Sequence, residues 1–104
     1  MDDATVIRGV LQEELERNAR SQLAYRAEIE TLPKGSVTIK ERGKKRYCYL
    51  THREGQRVCT DYVGTADAVE EDLRSKVEHR RSLEKVLRHL KSEERFMKKA
   101  LRLK

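Results

Sequence analysis

The chain has 104 residues, of which 37% are hydrophobic and 40% are charged, and its formal net charge is +6 at pH 7. A sequence of this length forms one domain at most, and so few apolar residues cannot fill a large compact core. One Phe, one Pro and no Trp are more typical of long helices than of a β-sandwich or barrel. We therefore expect a single domain over residues 1–104, with helices that are elongated or that associate.

The N-terminal third predicts one amphipathic helix over about residues 3–32. Apolar residues recur there at three- and four-residue spacing from Leu11 onward, which is the helical period. Asp3 can cap the start of the helix and favours its positive dipole end. Pro33 ends it, because the residue before a proline is disfavoured in the α conformation.

The central stretch, from Gly35 to Gly64, predicts a three-stranded antiparallel meander over about residues 36–63. Gly43-Lys44 and Glu54-Gly55 separate three runs that are rich in β-branched and aromatic residues. At each turn a glycine can adopt the positive φ that tight hairpins need. We expect two-residue loops at both positions.

Alternation of side chains along each strand divides this sheet into two faces. With two-residue loops, Ile39 pairs with Cys48 in the first hairpin and Leu50 pairs with Cys59 in the second. One face then collects residues that need a cover: Val37, Ile39, Cys48, Leu50, Cys59 and Val63. The opposite face is basic and carries tyrosines: Thr38, Lys40, Arg42, Lys45, Tyr47, Tyr49, Thr51, Val58, Thr60 and Tyr62.

The C-terminal part predicts a second long helix over about residues 66–102, with Asp67 and Glu70 spaced as a capping box. Its second half has a heptad seam: Leu83, Leu87, Leu90, Glu94, Met97 and Leu101. We expect an α+β fold in which the helices form an antiparallel, coiled-coil-like hairpin and one of them covers the aliphatic sheet face. Because such a fold buries little apolar area per residue, we also expect a homodimer, although the seam can pair within one chain.

Charge is unevenly distributed along the sequence. The first 33 residues have a net charge of −3, the next 31 have +5, and the remainder has +4. A basic balance of this kind favours nucleic acid or an acidic partner. No apolar run approaches the roughly 20 residues that cross a bilayer, and the acidic start is unlike a signal peptide. We expect a cytoplasmic protein with no membrane partner.

The sequence lacks the residue patterns of catalytic and metal sites. Cys48 and His52 are about 13 Å apart along one strand, too far to share a zinc ion. His79 and His89 are ten positions apart on a helix, without partners. No nucleophile lies near a base, and there is no glycine-rich phosphate loop. We expect no enzymatic activity, metal, cofactor or small-molecule substrate, and we expect Cys48 and Cys59 to be buried thiols rather than a disulfide.

The basic, tyrosine-bearing face is the main functional candidate. A β-sheet can lie in the DNA major groove, where cations contact phosphates and strand side chains reach base edges. On the contacting face we predict Lys40, Arg42, Lys45, Tyr47, Tyr49 and Tyr62, and at the phosphates Lys44, Arg46, Arg53 and Arg57. The alternative is a solvated face with stabilising cross-strand tyrosine pairs.

The basic C-terminal run KSEERFMKKALRLK can likewise hold phosphates or simply end a solvated helix.

Four short motifs mark the central stretch: Gly35-Ser36, Arg46-Tyr47-Cys48-Tyr49, Arg53-Glu54-Gly55 and Tyr62-Val63-Gly64, with a helix after them. This pattern resembles the sheet-plus-helix DNA-binding modules of phage-type tyrosine recombinases, and also small uncharacterised bacterial proteins and some transposase front ends. The resemblance implies duplex DNA binding by a non-enzymatic accessory protein of a mobile element. The alternative function is a coiled-coil protein-interaction or dimerisation module.

Overall fold

The computed structural model describes residues 3–102. Along the chain lie α1 (Asp3–Glu30), β1 (Ser36–Arg42), β2 (Lys45–Glu54), β3 (Arg57–Thr65) and α2 (Ala66–Arg102). The three strands form one antiparallel sheet in the order β1-β2-β3. This arrangement of two long helices and a meander confirms the predicted α+β fold class.

The chain divides into two compact units. The sheet unit covers Thr31–Ser82, and the helical unit joins α1 to the part of α2 that begins at Leu83. Neither helix, within the residues described, is both long and apolar enough to cross a membrane.

The end of α1 differs slightly from the prediction, because the helix stops at Glu30 and the chain turns before Pro33. Leu32 directly precedes the proline and therefore leaves the α conformation. Its carbonyl oxygen accepts a hydrogen bond from Nη1 of Arg80 at 2.6 Å. At Gly35, where φ is 136°, an added Cβ would collide with the carbonyl oxygen of Thr51, so glycine is required there.

The first hairpin has the predicted register. Its loop is Gly43-Lys44, and Gly43 has a φ of 64°. Ile39 lies opposite Cys48, and Val37 lies opposite Leu50.

The second hairpin turns one residue later than predicted. Gly55, with a φ of 62°, takes the first loop position rather than the second, so that Glu54 pairs with Arg57. Leu50 therefore lies opposite Asp61, and the predicted pairing with Cys59 is wrong. The pairing shifts by two residues, which preserves the alternation, and side chains of this hairpin before the bulge keep their predicted face.

A β-bulge in β3 overturns one prediction. Tyr49 pairs with Tyr62, whereas the preceding Cys48 pairs with Gly64, which leaves Val63 as the extra residue. Val63 is 40% exposed and lies outside the core cluster, so its predicted place on the covered face is wrong. The bulge also brings Gly64 against Val69, where an added Cβ would lie 3.0 Å from Val69 Cγ1.

A helix covers the aliphatic face of the sheet, as predicted. Cys48 is fully buried against Leu73 and Val77 of α2. Their four-residue spacing places the α2 side chains on one helical stripe. The remaining members of this core are partly buried: Val37, Ile39, Leu50 and Val69.

The helical unit has a polar seam. Asn18 and Gln22 of α1 are 5% and 4% exposed, and Nδ2 of Asn18 donates to the carbonyl oxygen of Leu90 at 2.9 Å. The predicted heptad residues of α2 are buried or half-buried against this seam, from Leu83 to Leu101. The heptad seam of α2 thus packs against α1 of the same chain.

Candidate nucleic-acid interface

The face of the sheet opposite the α2-covered core carries the predicted contact residues. The cationic tyrosine face consists of Lys40, Arg42, Lys45, Tyr47, Tyr49 and Tyr62. Alternation puts them together, because Lys40 pairs with Tyr47, Arg42 with Lys45, and Tyr49 with Tyr62. The structure therefore brings all six onto one surface.

The three tyrosine rings form a cluster around Tyr62. The ring centroids of Tyr49 and Tyr62 are 5.5 Å apart, with an interplanar angle of 61°, and those of Tyr47 and Tyr62 are 6.2 Å apart at 58°. The first pair is edge-to-face and the second is tilted, and such contacts are favourable and hold the rings in place. Tyr62 is nevertheless 57% exposed, so one side of the cluster is accessible to a ligand.

Two cations lie beside these rings. Nζ of Lys40 is 4.7 Å from the ring centroid of Tyr49, within the range of a cation–π contact. Arg42 lines a shallow open depression together with all three tyrosines. A ligand in this depression would contact aromatic surface and positive charge at the same time.

A row of threonines continues the same face across all three strands. The hydroxyl oxygen of Thr51 lies 3.3 Å from that of Thr38 on one side and 3.3 Å from that of Thr60 on the other. Each hydroxyl both donates and accepts hydrogen bonds. The row adds polar groups that suit an oxygen-rich partner.

The four residues that were predicted to contact phosphates do not all lie on the same side of the sheet. Lys44 occupies the first turn, and Arg53 pairs with Val58 on the tyrosine side of the sheet. Arg46 and Arg57 alternate to the other side. Nη2 of Arg46 lies 3.3 Å from Oε1 of Glu70 on α2, and its Nε lies 3.9 Å from Glu41, so its charge is shared with two carboxylates.

Lys44, Lys45 and Arg46 line a second depression, together with Thr65 and Asp67. This depression lies where the first turn approaches the start of α2. The three cations make it attractive to an anion, and the carboxylate of Asp67 opposes that attraction.

A polar cluster near the second turn was not predicted from the sequence. Nε2 of His52 lies 2.6 Å from Oδ2 of Asp61, and Cys59 is the cross-strand neighbour of His52. Alternation along β3 puts Asp61 and Cys59 on the same face, so the cluster could have been found from the sequence. The predicted loop was one residue too early, however, and paired both residues with positions other than those seen in the structure. Burial raises the pKa of the Cys59 thiol, and the carboxylates of Glu54 and Asp61 raise it further. Its thiol is thus held neutral and is a poor nucleophile.

Cys48 and Cys59 are free thiols, as predicted, although Cys59 is only half-buried. Within residues 3–102, no group of three or more His, Cys, Asp or Glu side chains is arranged to hold a metal ion.

Comparison with known proteins shows a match to a protein family. The profile of a family described as a domain of unknown function (DUF6788) matches residues 6–75. The matched region includes the entire sheet and the start of α2 with Val69 and Leu73, which cover it. No curated protein and no solved structure matches the chain.

Proposed function

The chain belongs to the DUF6788 family, and we propose that it is a non-enzymatic accessory protein that binds duplex DNA through the cationic tyrosine face. One observation carries the proposal: α2 covers one side of the sheet, whereas the other side presents clustered tyrosines and cations. The three rings lie in contact with one another on this open face, and the cations beside them make it suitable for a polyanion.

The dimensions of the sheet suit the major groove. Adjacent strands lie about 4.8 Å apart, so the backbones of three strands span about 10 Å. The major groove of B-DNA is about 12 Å wide. In this arrangement Lys40, Arg42 and Tyr62 reach toward base edges, while Lys44 and Arg53 at the two ends of the hairpins contact phosphates.

The resemblance to recombinase and transposase modules supports a role beside a mobile element. It concerns the same sheet and the helix that follows it. As part of this proposal we place the protein in the cytoplasm, a reducing compartment that suits two free thiols.

A second candidate function is a dimerisation or protein-interaction module. The helical unit favours it, because Phe96 and Leu23 are 71% and 66% exposed. DNA binding and dimerisation use different surfaces, so the homodimer is proposed independently of DNA binding.

Binding to a labelled duplex, followed by fluorescence anisotropy at two salt concentrations, tests the DNA proposal. Each phosphate that a protein cation neutralises releases counterion, so affinity falls as salt rises. Between about 50 mM and about 200 mM salt we expect a loss of at least about 100-fold. Absence of binding at the lower concentration would end the proposal.

Paired charge variants locate the site. Lys40→Gln with Lys45→Gln removes two cations from the cationic tyrosine face, and we expect it to flatten the salt dependence by a slope of about 2. Lys85→Gln with Arg88→Gln removes the same charge from exposed positions of the helical unit, outside the basic C-terminal run, and is the matched control. Equal losses in both variants would mean that net charge alone attracts DNA, and would contradict the assigned site.

Tyr62→Leu separates the aromatic contribution from charge. Tyr62 is more than half exposed, so its loss should leave the fold intact while it weakens duplex binding by about five-fold or more. Val58→Ala is the control, because Val58 is also exposed and lies on the same strand. Unchanged affinity in Tyr62→Leu would favour the purely structural interpretation of the tyrosine cluster.

A further inference from the structure

Alternation along the three strands separates the charged side chains of the sheet. The strands carry three carboxylates, and all of them lie on the side opposite the cationic tyrosine face. Oε1 of Glu41 lies 3.9 Å from Nε of Arg46. Oδ2 of Asp61 lies 2.6 Å from Nε2 of His52, and Oε1 of Glu54 lies 3.9 Å from Nδ1 of the same ring. The strand residues on the tyrosine side are therefore cationic or neutral.

The tyrosine side of the sheet offers mainly hydrogen-bond donors. Its cationic strand residues are Lys40, Arg42, Lys45 and Arg53. Lysine and arginine side chains only donate, while the hydroxyls of tyrosine and threonine donate and accept. The three strands contain no Asn and no Gln. A partner that presents acceptors thus complements this side better than one that presents donors.

Two of these cations lie among the tyrosine rings. Lys40 pairs with Tyr47, yet its Nζ lies 4.7 Å from the ring centroid of Tyr49, toward the middle of the cluster. Arg42 lines the depression that the three rings form. Lys40 and Arg42 are two positions apart on β1, which is about 6.8 Å, or twice the rise of about 3.4 Å per base pair. They are spaced to face bases two base pairs apart when the strand runs along the groove.

The base edges in the major groove differ in the acceptors that they present. Guanine presents two acceptors, N7 and O6, whereas adenine presents one acceptor and one donor, cytosine a donor, and thymine an acceptor and a methyl group. A side chain that only donates can therefore make two hydrogen bonds with guanine alone. The residue types that read adenine (Asn and Gln) and cytosine (Asp and Glu) are missing from the tyrosine side of the described strands.

We propose that the cationic tyrosine face recognises guanine, with Arg42 and Lys40 donating to N7 and O6 of guanines two base pairs apart. This inference rests on the proposed DNA binding and adds a sequence preference to it. The rings hold these two cations within the face, at the base edges, whereas Arg53 at the end of the second hairpin contacts a phosphate.

Three duplexes of equal length test the preference by fluorescence anisotropy at about 50 mM salt. The first repeats GT along one strand, which puts guanines two base pairs apart, and the second repeats AT. The third is the GT duplex with 7-deazaguanine, which pairs normally but lacks the N7 acceptor. We expect the GT duplex to bind about 10-fold more tightly than the AT duplex, and 7-deazaguanine to remove most of this preference.

The outcomes separate the guanine preference from DNA binding itself. Equal affinities for the GT and AT duplexes would overturn the preference while duplex binding stands. A preference for GT that 7-deazaguanine leaves unchanged would mean that the protein reads the shape of the duplex, and would overturn the direct contact. Absence of binding to all three duplexes would overturn both the preference and the proposed function.

Arg42→Gln tests the assigned residue. Glutamine pairs with adenine rather than guanine, so we expect the ratio of GT to AT affinity to fall by at least about 5-fold. Arg53→Gln is the matched control, because it removes the same charge from another exposed arginine on the tyrosine side, at a predicted phosphate contact. We expect it to weaken binding to all duplexes alike and to keep the ratio. An unchanged ratio in Arg42→Gln, or an equal fall in both variants, would contradict the role of Arg42.

Discussion

The two units bury different kinds of side chain. Among the residues that the structure describes, those buried in the sheet unit are Cys48, Ala66, Leu73 and Val77, whereas those buried in the helical unit are Asn18, Gln22, Ile29 and Leu83. The described residues that are buried in the sheet unit are thus all apolar, while half of those buried in the helical unit carry an amide.

The two units select one arrangement in different ways. In the sheet unit, hairpin loops and backbone pairing fix the register, so the core needs only apolar side chains. Two packed helices have no such pairing, and apolar contacts do not define their axial position. The hydrogen bond from Asn18 to the carbonyl oxygen of Leu90 supplies that definition, as a buried asparagine does in a coiled coil.

We expect the greatest loss of stability from a substitution in the apolar core of the sheet unit. Leu73 is 7% exposed and packs beside Cys48, so Leu73→Ala should lower the free energy of unfolding by about 2–4 kcal/mol, through lost burial and the cavity that remains. Urea denaturation followed by circular dichroism measures the change.

Leu23→Ala is the control for this prediction. It removes the same atoms from a side chain that is 66% exposed, and we expect a loss below about 0.5 kcal/mol. Similar losses in the two leucine variants would contradict the assignment of the core.

The polar seam should behave differently from the apolar core. In Asn18→Leu, Nε2 of Gln22 loses the oxygen that accepts its hydrogen bond at 2.7 Å, and a buried donor is left unpaired. We expect a loss of about 1–2 kcal/mol. Asn18→Leu with Gln22→Leu removes both partners, and we expect it to be less destabilised than the single variant.

The same double variant should lose its single axial register. We expect amide spectra by NMR to show more than one set of signals for α1 in this variant and one set in the wild type. Strictly additive losses of stability, with one set of signals throughout, would refute the role of this pair in setting the register.

Much of the sheet unit was predictable because alternation is a local property. A loop position that is wrong by one residue shifts the pairing by two, so Tyr47, Tyr49 and Tyr62 still share a face although the predicted partner of Leu50 was wrong. The bulge at Val63 was not predictable in this way, since alternation does not show where a strand contains an extra residue.

Other features depend on contacts between distant parts of the chain. The apolar spacing from Leu11 onward does not show whether Asn18 and Gln22 or their neighbours Ala19 and Leu23 lie on the buried side of α1. The structure buries the amides and exposes Leu23, because the buried stripe keeps the spacing of Leu11 and Leu15. For the candidate site, alternation grouped the six face residues, but the ion pair of Arg46 with Glu70 arises only after α2 folds over the sheet.

A smaller effect concerns the cysteine of the sheet core. Burial raises the pKa of the Cys48 thiol above its ordinary value of 9.0, Glu70 adds to the shift, and Arg74 opposes it. The folded state therefore keeps this proton to higher pH than the unfolded state. Its contribution to stability is complete below about pH 9 and is lost as pH rises through the folded pKa.

Urea denaturation at a series of alkaline pH values measures this dependence. We expect Cys48→Ala, although less stable overall, to lose less stability than the wild type above pH 9. Cys59→Ser, at the half-buried position, is the comparison variant. It should keep the loss of stability above pH 9 that Cys48 causes. Parallel pH profiles for the wild type and Cys48→Ala would contradict the effect of burial on this thiol.

The smallest effect lies at the rim of the sheet unit, at Cys59. Asp61 is one of two carboxylates that raise the pKa of this thiol, after burial, so Asp61→Asn should lower that pKa and increase the thiolate fraction. At about pH 8 we expect alkylation of Cys59 to accelerate by about two- to three-fold. Glu41→Gln removes a carboxylate at the other end of the sheet and should leave the rate unchanged.

Two features make this measurement specific to charge rather than to loosening of the sheet. The Asp61 side chain is 66% exposed, so loss of its hydrogen bond to His52 should cost less than about 1 kcal/mol. Cys48 reports on opening, because it is fully buried and reacts only when the core is exposed. If Asp61→Asn accelerates both thiols, opening explains the result; if Cys59 alone accelerates, the carboxylate controls its ionisation.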